Sequence, residues 1–181
     1  MEKAAARICR EAGAVVREGG KLRDLNIAIA AGDNREIEVL ANGLPVRGGA
    51  QLAIDITLRS PLTASGEPHP RAAGEDGIAA NAARGDKSSK YPELVAGGRC
   101  SLVVLALETG GRMSAETVEF LQELAFAKSR EAFPAVRRAA GLAWQLRWTR
   151  MLSCTAARSW WHSVTAPAEA AGPAADDAPP L

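Results

Sequence analysis

The stretch QLAIDITLRSPL, residues 51–62, carries the clearest strand pattern in the chain. Its leucines and isoleucines alternate with smaller or polar residues, which is the period of a strand with one buried face. Asp55 lies in the middle of this pattern, between Ile54 and Ile56. Aspartate is depleted in strands and is seldom buried without compensation. Asp55 is therefore either a functional residue or an edge-strand acid neutralised by a neighbour such as Arg59.

Length and composition are those of an ordinary globular domain. The chain has 181 residues, of which 47% are hydrophobic and 24% charged, and its net charge is +1, so any basic surface must be local. The three cysteines lack metal-site spacing, which indicates reduced thiols. No apolar run reaches the roughly 18 residues of a membrane span, and the N-terminus has no signal-peptide core. We expect no membrane contact and a nuclear or cytoplasmic location rather than secretion.

Periodicity and turn residues predict a mixed α/β fold, with a small central sheet of about four strands flanked by helices. Strands are predicted at residues 25–30, 36–42, 50–58 and 100–107. Helices are predicted near residues 3–16, 78–90, 114–130 and 134–160, with Ser114 as an N-cap. The folded domain is predicted to span residues 1–164, followed by a low-complexity, disordered tail over 165–181.

A second acid, Glu38, lies within a predicted strand, between Ile37 and Val39. In each strand the acid points away from its apolar neighbours, so Glu38 and Asp55 would project from one edge of the sheet. Two adjacent carboxylates repel each other, and a divalent cation removes that penalty. Mg²⁺ favours one or two protein carboxylates together with water and phosphate oxygens. The pair therefore predicts a Mg²⁺ site able to activate water at a phosphate, unless Glu38 simply faces solvent.

Two further acids are alternatives. Asp33 is the other candidate for the first acid, although its position before Asn34 is typical of a turn. Glu108 ends an apolar run, either as another polar group at the site or as an ordinary strand-end residue.

Two lysines follow in the segment KSSKY, where Lys87 and Lys90 are three residues apart and Tyr91 comes next. Residues at this spacing share a helix face. A lysine close to the two acids would contact the attacking water or the scissile phosphate. The alternative is that both lysines are ordinary surface charges of the helix.

At these residues the chain resembles the restriction-enzyme-like endonuclease at the C-terminal end of site-specific non-LTR retrotransposon polyproteins, within the PD-(D/E)XK nuclease superfamily. The segment EIEVLA (36–41) matches the family's first acid strand, and AIDITL (53–58) matches its central acid strand. KSSKY (87–91) matches its lysine-tyrosine helix. The segment from residue 102 to 124 is similar to its closing strand, glycine turn and helix.

The resemblance implies a Mg²⁺-dependent endonuclease that nicks DNA. Asp55 and Glu38 would bind the metal, Lys87 would be the catalytic lysine, and Lys90 and Tyr91 would contact the DNA. The implied partners are DNA and a reverse-transcriptase module that this chain does not contain. The chain departs from the family pattern in that Glu38 replaces an aspartate. The alternative is an inactive remnant of an element, acting as a DNA-binding or interaction module.

The last predicted helix is rich in arginine and tryptophan. Arginines with interleaved aromatic residues favour contact with a nucleic-acid backbone, and on this basis Arg147 and Arg150 are assigned to substrate binding. The alternative is that the tryptophans pack the helix onto the sheet. The residues concerned are Arg137, Arg138, Trp144, Arg147, Trp148, Arg150, Arg158, Trp160 and Trp161.

Overall fold

A mixed sheet of four strands forms the centre of the structure, which is a computed structural model. It describes residues 1–25, 27–30, 32–63, 65–72, 74–75, 77–96 and 99–165. The strands are β1 (Val15–Lys21), β2 (Glu36–Asn42), β3 (Gln51–Arg59) and β4 (Cys100–Glu108), in the spatial order β1-β2-β3-β4. β1 and β2 pair antiparallel, as do β2 and β3, whereas β3 and β4 are parallel. The predicted fold class is confirmed.

Helices cover both faces of this sheet. They are α1 (Glu2–Glu11), α2 (Ile78–Lys90), α3 (Pro92–Ala96), α4 (Ala115–Ser129) and α5 (Arg137–Thr165). The parallel pairing of β3 and β4 requires a crossover connection, and α2 lies in it. One core packs α1, α4 and α5 against one face of the sheet. A second core packs α2 and the α3 region against the other face.

The prediction of the first strand is wrong. The described residues 27–30 are irregular, and the edge strand is instead β1, which contains Gly19 and Gly20. A glycine pair is uncommon inside a strand, where glycine offers no side chain to pack. A Cβ at Gly20 would lie 2.7 Å from Leu40 Cδ1, so a larger residue there would require the end of the Leu40 side chain to shift.

The first helix also ends earlier than predicted, at Glu11 rather than near residue 16. Gly13 adopts a φ of 105°, which favours glycine. The Gly13 N–H donates to the Arg10 carbonyl, and the Ala14 N–H donates to the Cys9 carbonyl. These bonds satisfy carbonyls of the last helical turn and redirect the chain into β1.

The other predicted elements lie close to their expected bounds. Ser114 caps α4, because its hydroxyl accepts a hydrogen bond from the Thr117 N–H at 3.2 Å. A turn of 3-10 helix at Pro134–Val136 precedes α5. α5 continues through Thr165, beyond its predicted end near residue 160 and one residue into the predicted tail. The rest of that predicted tail, residues 166–181, lies outside the described part of the chain. Among the helices that are described, none is both long enough and apolar enough to cross a lipid bilayer.

Candidate active site

The backbone pairing between β2 and β3 ends where the two acids begin. Val39 and Ile54 form the last registered pair, so Glu38 and Asp55 would come next. Instead, the Glu38 carboxylate accepts a hydrogen bond from the Ile56 N–H at 2.6 Å. The side chain of Glu38 thus replaces the backbone partner that β2 would have offered. This hydrogen bond places the Glu38 carboxylate beside the backbone of Ile56, the residue that follows Asp55.

Asp55 is almost fully buried on the face of the sheet that α2 covers. Its Oδ1 accepts a hydrogen bond from the Tyr91 hydroxyl at 3.3 Å, and its Oδ2 lies 2.6 Å from Lys87 Nζ. Within the described ranges, Oδ2 accepts no hydrogen bond of good geometry, so its contact with Lys87 is mainly electrostatic. Arg59 pairs with Asp86 at 2.6 Å, so the interpretation of Asp55 as an acid neutralised by Arg59 is wrong.

The small side chains of α2 bring Lys87 to Asp55. Ala79, Ala80 and Ala83 are buried against the sheet, which lets the helix axis approach it closely. Lys87 follows Ala83 by four residues and therefore lies on the same helix face. Its side chain is 17% exposed, so Lys87 is partly accessible at the edge of the cluster.

Lys90 occupies a different environment from Lys87. It is exposed, and its Nζ lies 4.9 Å from the centre of the Tyr91 ring. Its carbonyl accepts a hydrogen bond from Arg35. The two lysines therefore reach different atoms, as the spacing of one helical turn predicts.

Tyr91 ties the end of α2 to the two acid strands. Its single hydroxyl proton is shared between the Glu36 carbonyl at 2.8 Å and Asp55 Oδ1 at 3.3 Å, and the bond to Glu36 is the shorter of the two. Burial, and then the negative charge of Asp55, raise the pKa of Tyr91 to about 12, so the hydroxyl stays protonated. Tyr91 has no exposed surface, which is inconsistent with its predicted contact with substrate. It is a positioning residue for Asp55.

Glu38 is half-buried, and its environment resists ionisation. Burial is the main cause of its raised pKa, and the negative charges of Asp55 and Glu2 act in the same direction. The hydrogen bond from Ile56 and the positive charge of Lys87 oppose this effect. A cation placed among these groups would favour the ionised form of Glu38.

The donor set limits which metal would fit. Within the part of the chain that the structure describes, no group of three or more His, Cys, Asp and Glu side chains is arranged to bind a metal. The protein would therefore supply two carboxylates, from Asp55 and Glu38. This set suits Mg²⁺, which commonly keeps several waters, better than Zn²⁺, which favours several nitrogen or sulfur ligands. Asp55 Oδ2 already lies 2.6 Å from the Lys87 ammonium, so a metal cation would reach it only after Lys87 turns away.

The structure does not bring Arg147 and Arg150 to this cluster. Both belong to α5, which lies on the opposite face of the sheet. Arg147 forms a two-bond ion pair with Glu11, at 2.9 and 2.8 Å, and buried Trp148 donates to the same carboxylate at 3.0 Å. The interpretation of this part of α5 as a packing surface is therefore confirmed for Trp148.

The alternative acids also lie in other environments. Asp33 accepts hydrogen bonds from the Arg35 side chain and backbone, and no described contact joins it to Asp55. Glu108 is buried at the end of β4 and lies 3.9 Å from Arg112. Glu2 was not predicted as a neighbour of Glu38. No linear signal relates residues 2 and 38, because only the packing of α1 on the sheet brings them together.

No protein-family model matches the chain, and no curated protein matches it.

Proposed function

We propose that this protein is a Mg²⁺-dependent DNA endonuclease that nicks one strand. The observation that carries the proposal is the meeting of Asp55, Glu38 and Lys87 at the point where β2 and β3 separate. These residues come from two strands and a distant helix, and they are the residues for which the sequence resemblance implies these roles. The same proposal includes the likeness to retrotransposon endonucleases. It also includes a reverse-transcriptase module as a partner and a location in the nucleus.

Each side chain has a chemical role in this proposal. Asp55 and Glu38 would hold the cation, which when bound supplies an activated water and offsets charge on the phosphate. Lys87 would turn from Asp55 towards the substrate, where its ammonium group stabilises the negative charge that develops on the scissile phosphate. Tyr91 fixes the orientation of Asp55 through its hydroxyl.

A nicking assay on supercoiled plasmid tests this proposal. Asp55→Asn should abolish Mg²⁺-dependent nicking, because an amide cannot supply the charge of a metal ligand. Asp86→Asn is the matched control, since Asp86 is an exposed acid that pairs with Arg59 outside the cluster. The control should nick at the unmodified rate. Equal nicking by Asp55→Asn and the control would rule out Asp55 as the ligand, provided that circular dichroism shows both to be folded.

One observation favours a second candidate, an inactive remnant that binds DNA or another partner. Asp55 already lies against Lys87 and Tyr91, and Glu38 already accepts a hydrogen bond from Ile56, so the cluster has internal partners without a metal. The two candidates differ in how they respond to Mg²⁺. The endonuclease gains thermal stability on adding millimolar Mg²⁺, and Asp55→Asn removes that gain. The remnant gains none and does not nick.

A further inference from the structure

A groove lies between the first half of α1 and the second half of α5. It has a volume of about 630 Å³, and its walls include Lys3 and Arg7 from α1 and Arg158 from α5. Cys154 lies on the α5 wall of the same groove. The groove belongs to the face of the sheet opposite α2, so it is separate from the contacts that hold Lys87.

The charges of the groove are mainly positive and partly unpaired. Lys3 and Arg158 are exposed and form no ion pair with any residue that the structure describes. Arg7 pairs with Glu11 at 3.0 Å, but that carboxylate is shared with Arg147. Glu2 is the acid on the groove wall. Free cations on two facing helices attract a polyanion, and a nucleic-acid backbone carries a regular row of phosphates that such cations can neutralise.

An exposed tryptophan continues the α5 wall of the groove. Trp161 follows Arg158 by three residues and Cys154 by seven, so the three lie along one side of the helix. Its side chain is 61% exposed, unlike that of buried Trp148. An exposed aromatic ring beside cations is a platform for stacking unpaired bases. This favours a single strand over a duplex, whose bases are already stacked on each other.

Glu2 lines the groove and belongs to α1, which packs against β2, the strand that carries Glu38. The groove therefore opens beside the strand that holds one of the two acids.

We propose that the α1–α5 groove binds single-stranded DNA, with phosphates at Lys3 and Arg158 and a base stacked on Trp161. The purpose of the strand, delivery to the acid cluster, rests on the proposed endonuclease function. The binding itself does not, so the two can fail separately.

Cys154 provides a direct test of where DNA binds. It is the exposed cysteine of the chain, whereas Cys9 and Cys100 are buried. Burial raises the pKa of Cys9 to about 12 and that of Cys100 to about 11, so an alkylating reagent at pH 8 reports on Cys154. The probe is oligo-deoxythymidine with the full chain in EDTA, which prevents cleavage. Alkylation of Cys154 should slow progressively, with half-protection at the dissociation constant measured by fluorescence anisotropy.

Surface variants supply the second arm of the test. Trp161→Ala should weaken binding roughly tenfold, the effect of losing one base stack. Arg158→Gln should reduce the slope of log affinity against log salt by about 0.7, the value for one phosphate on a single strand. Arg138→Gln is the matched control, because Arg138 is an exposed arginine of α5 outside this groove, and it should change neither.

Several outcomes would overturn the proposal. They are the absence of oligonucleotide binding, binding that leaves Cys154 fully reactive, and an effect of Arg138→Gln equal to that of Arg158→Gln. Duplex DNA that protects Cys154 as well as the single strand does would refute the stacking role of Trp161. Protection of Cys154 by a chain that does not nick plasmid would support the groove and reject the endonuclease.

Discussion

At the scale of the residue, Asp55 shows how a strand tolerates a buried carboxylate. Burial of a charge is costly unless the charge is paired and hydrogen-bonded. Lys87 supplies the opposite charge at 2.6 Å, and Tyr91 supplies a hydroxyl at 3.3 Å. The strand pattern with one acid in its centre was enough to single out Asp55. It could not identify Lys87 as the partner instead of Arg59, because that choice depends on how closely α2 packs.

The Lys87–Asp55 pair predicts a particular pattern of stabilities. Lys87→Met should lower the free energy of unfolding by about 3 kcal/mol, because it leaves a buried carboxylate unpaired. The double variant Asp55→Asn/Lys87→Met should recover most of that loss and should still fail to nick. Urea denaturation measures the stabilities, with Lys90→Met as the matched control, expected within about 0.5 kcal/mol of the unmodified chain. A cost at Lys90 equal to that at Lys87 would contradict the assignment.

Glu38 predicts a pH dependence of stability. A carboxyl group whose pKa is raised on folding holds its proton to a higher pH in the folded chain than in the unfolded one. Its contribution to stability therefore falls as the pH rises from the unfolded pKa of 4.5 through the folded value. Glu38→Gln should remove that part of the decline, and Mg²⁺ should counteract it in the unmodified chain.

Melting temperatures from pH 4 to pH 8, with and without Mg²⁺, measure this effect of Glu38. Burial also raises the pKa of Glu116, so the difference between the unmodified chain and Glu38→Gln is the relevant quantity. Identical pH profiles for the two chains would show that the surroundings of Glu38 do not raise its pKa.

For the individual elements, the structure departs from the sequence prediction at glycines, because a glycine can end a helix or lie inside a strand. Gly19 and Gly20 are residues more typical of turns, yet they lie inside β1, where the Leu40 side chain covers Gly20. The residue that ends α1 and turns the chain is Gly13, which has a positive φ and lies in an alanine-rich segment. Whether a glycine pair lies inside a strand depends on the strand beside it, and the local sequence does not contain that information. The strands β2, β3 and β4 were predictable because their own apolar alternation or continuity is strong.

The docking of α5 on α1 depends on Glu11 and predicts a measurable cost. Hydrogen bonds from Arg147 are the largest cause that lowers the pKa of Glu11 to about 2. Glu11→Gln should reduce the free energy of unfolding at pH 7 by about 1–2 kcal/mol, a value discounted for the exposure of Arg147. The lowered pKa means that this contribution is present above pH 4.5 and is lost as the pH falls towards 2.

Glu18→Gln is the matched control for this measurement. Glu18 pairs with Arg10, and both side chains are well exposed, at 39% and 48%. Its loss should cost less than about 0.5 kcal/mol. Equal costs for Glu11→Gln and Glu18→Gln in urea titrations would mean that Glu11 does not hold α5 in place.

In the molecule as a whole, the two faces of the sheet carry different sets of helices and charged side chains. The α2 face holds Asp55, Lys87 and Tyr91, and the opposite face carries α1 and α5. The sequence resemblance singled out Asp55, Glu38 and Lys87, and in the structure Lys87 pairs with Asp55 while Glu38 accepts a hydrogen bond from the Ile56 backbone. The sequence could not assign the arginines of α5, since Arg147 faces Glu11 whereas Arg158 faces the α1–α5 groove, and a long helix presents every side in turn.

We propose that Asp55 and Glu38 bind one divalent cation between them. Anomalous diffraction from crystals soaked in Mn²⁺, a substitute for Mg²⁺, tests it most directly. We expect one peak at the opening between β2 and β3, with an oxygen of Asp55 and an oxygen of Glu38 each at about 2.1–2.2 Å. A map without a peak at these carboxylates, in which Lys87 still pairs with Asp55 at millimolar Mn²⁺, would contradict the claim.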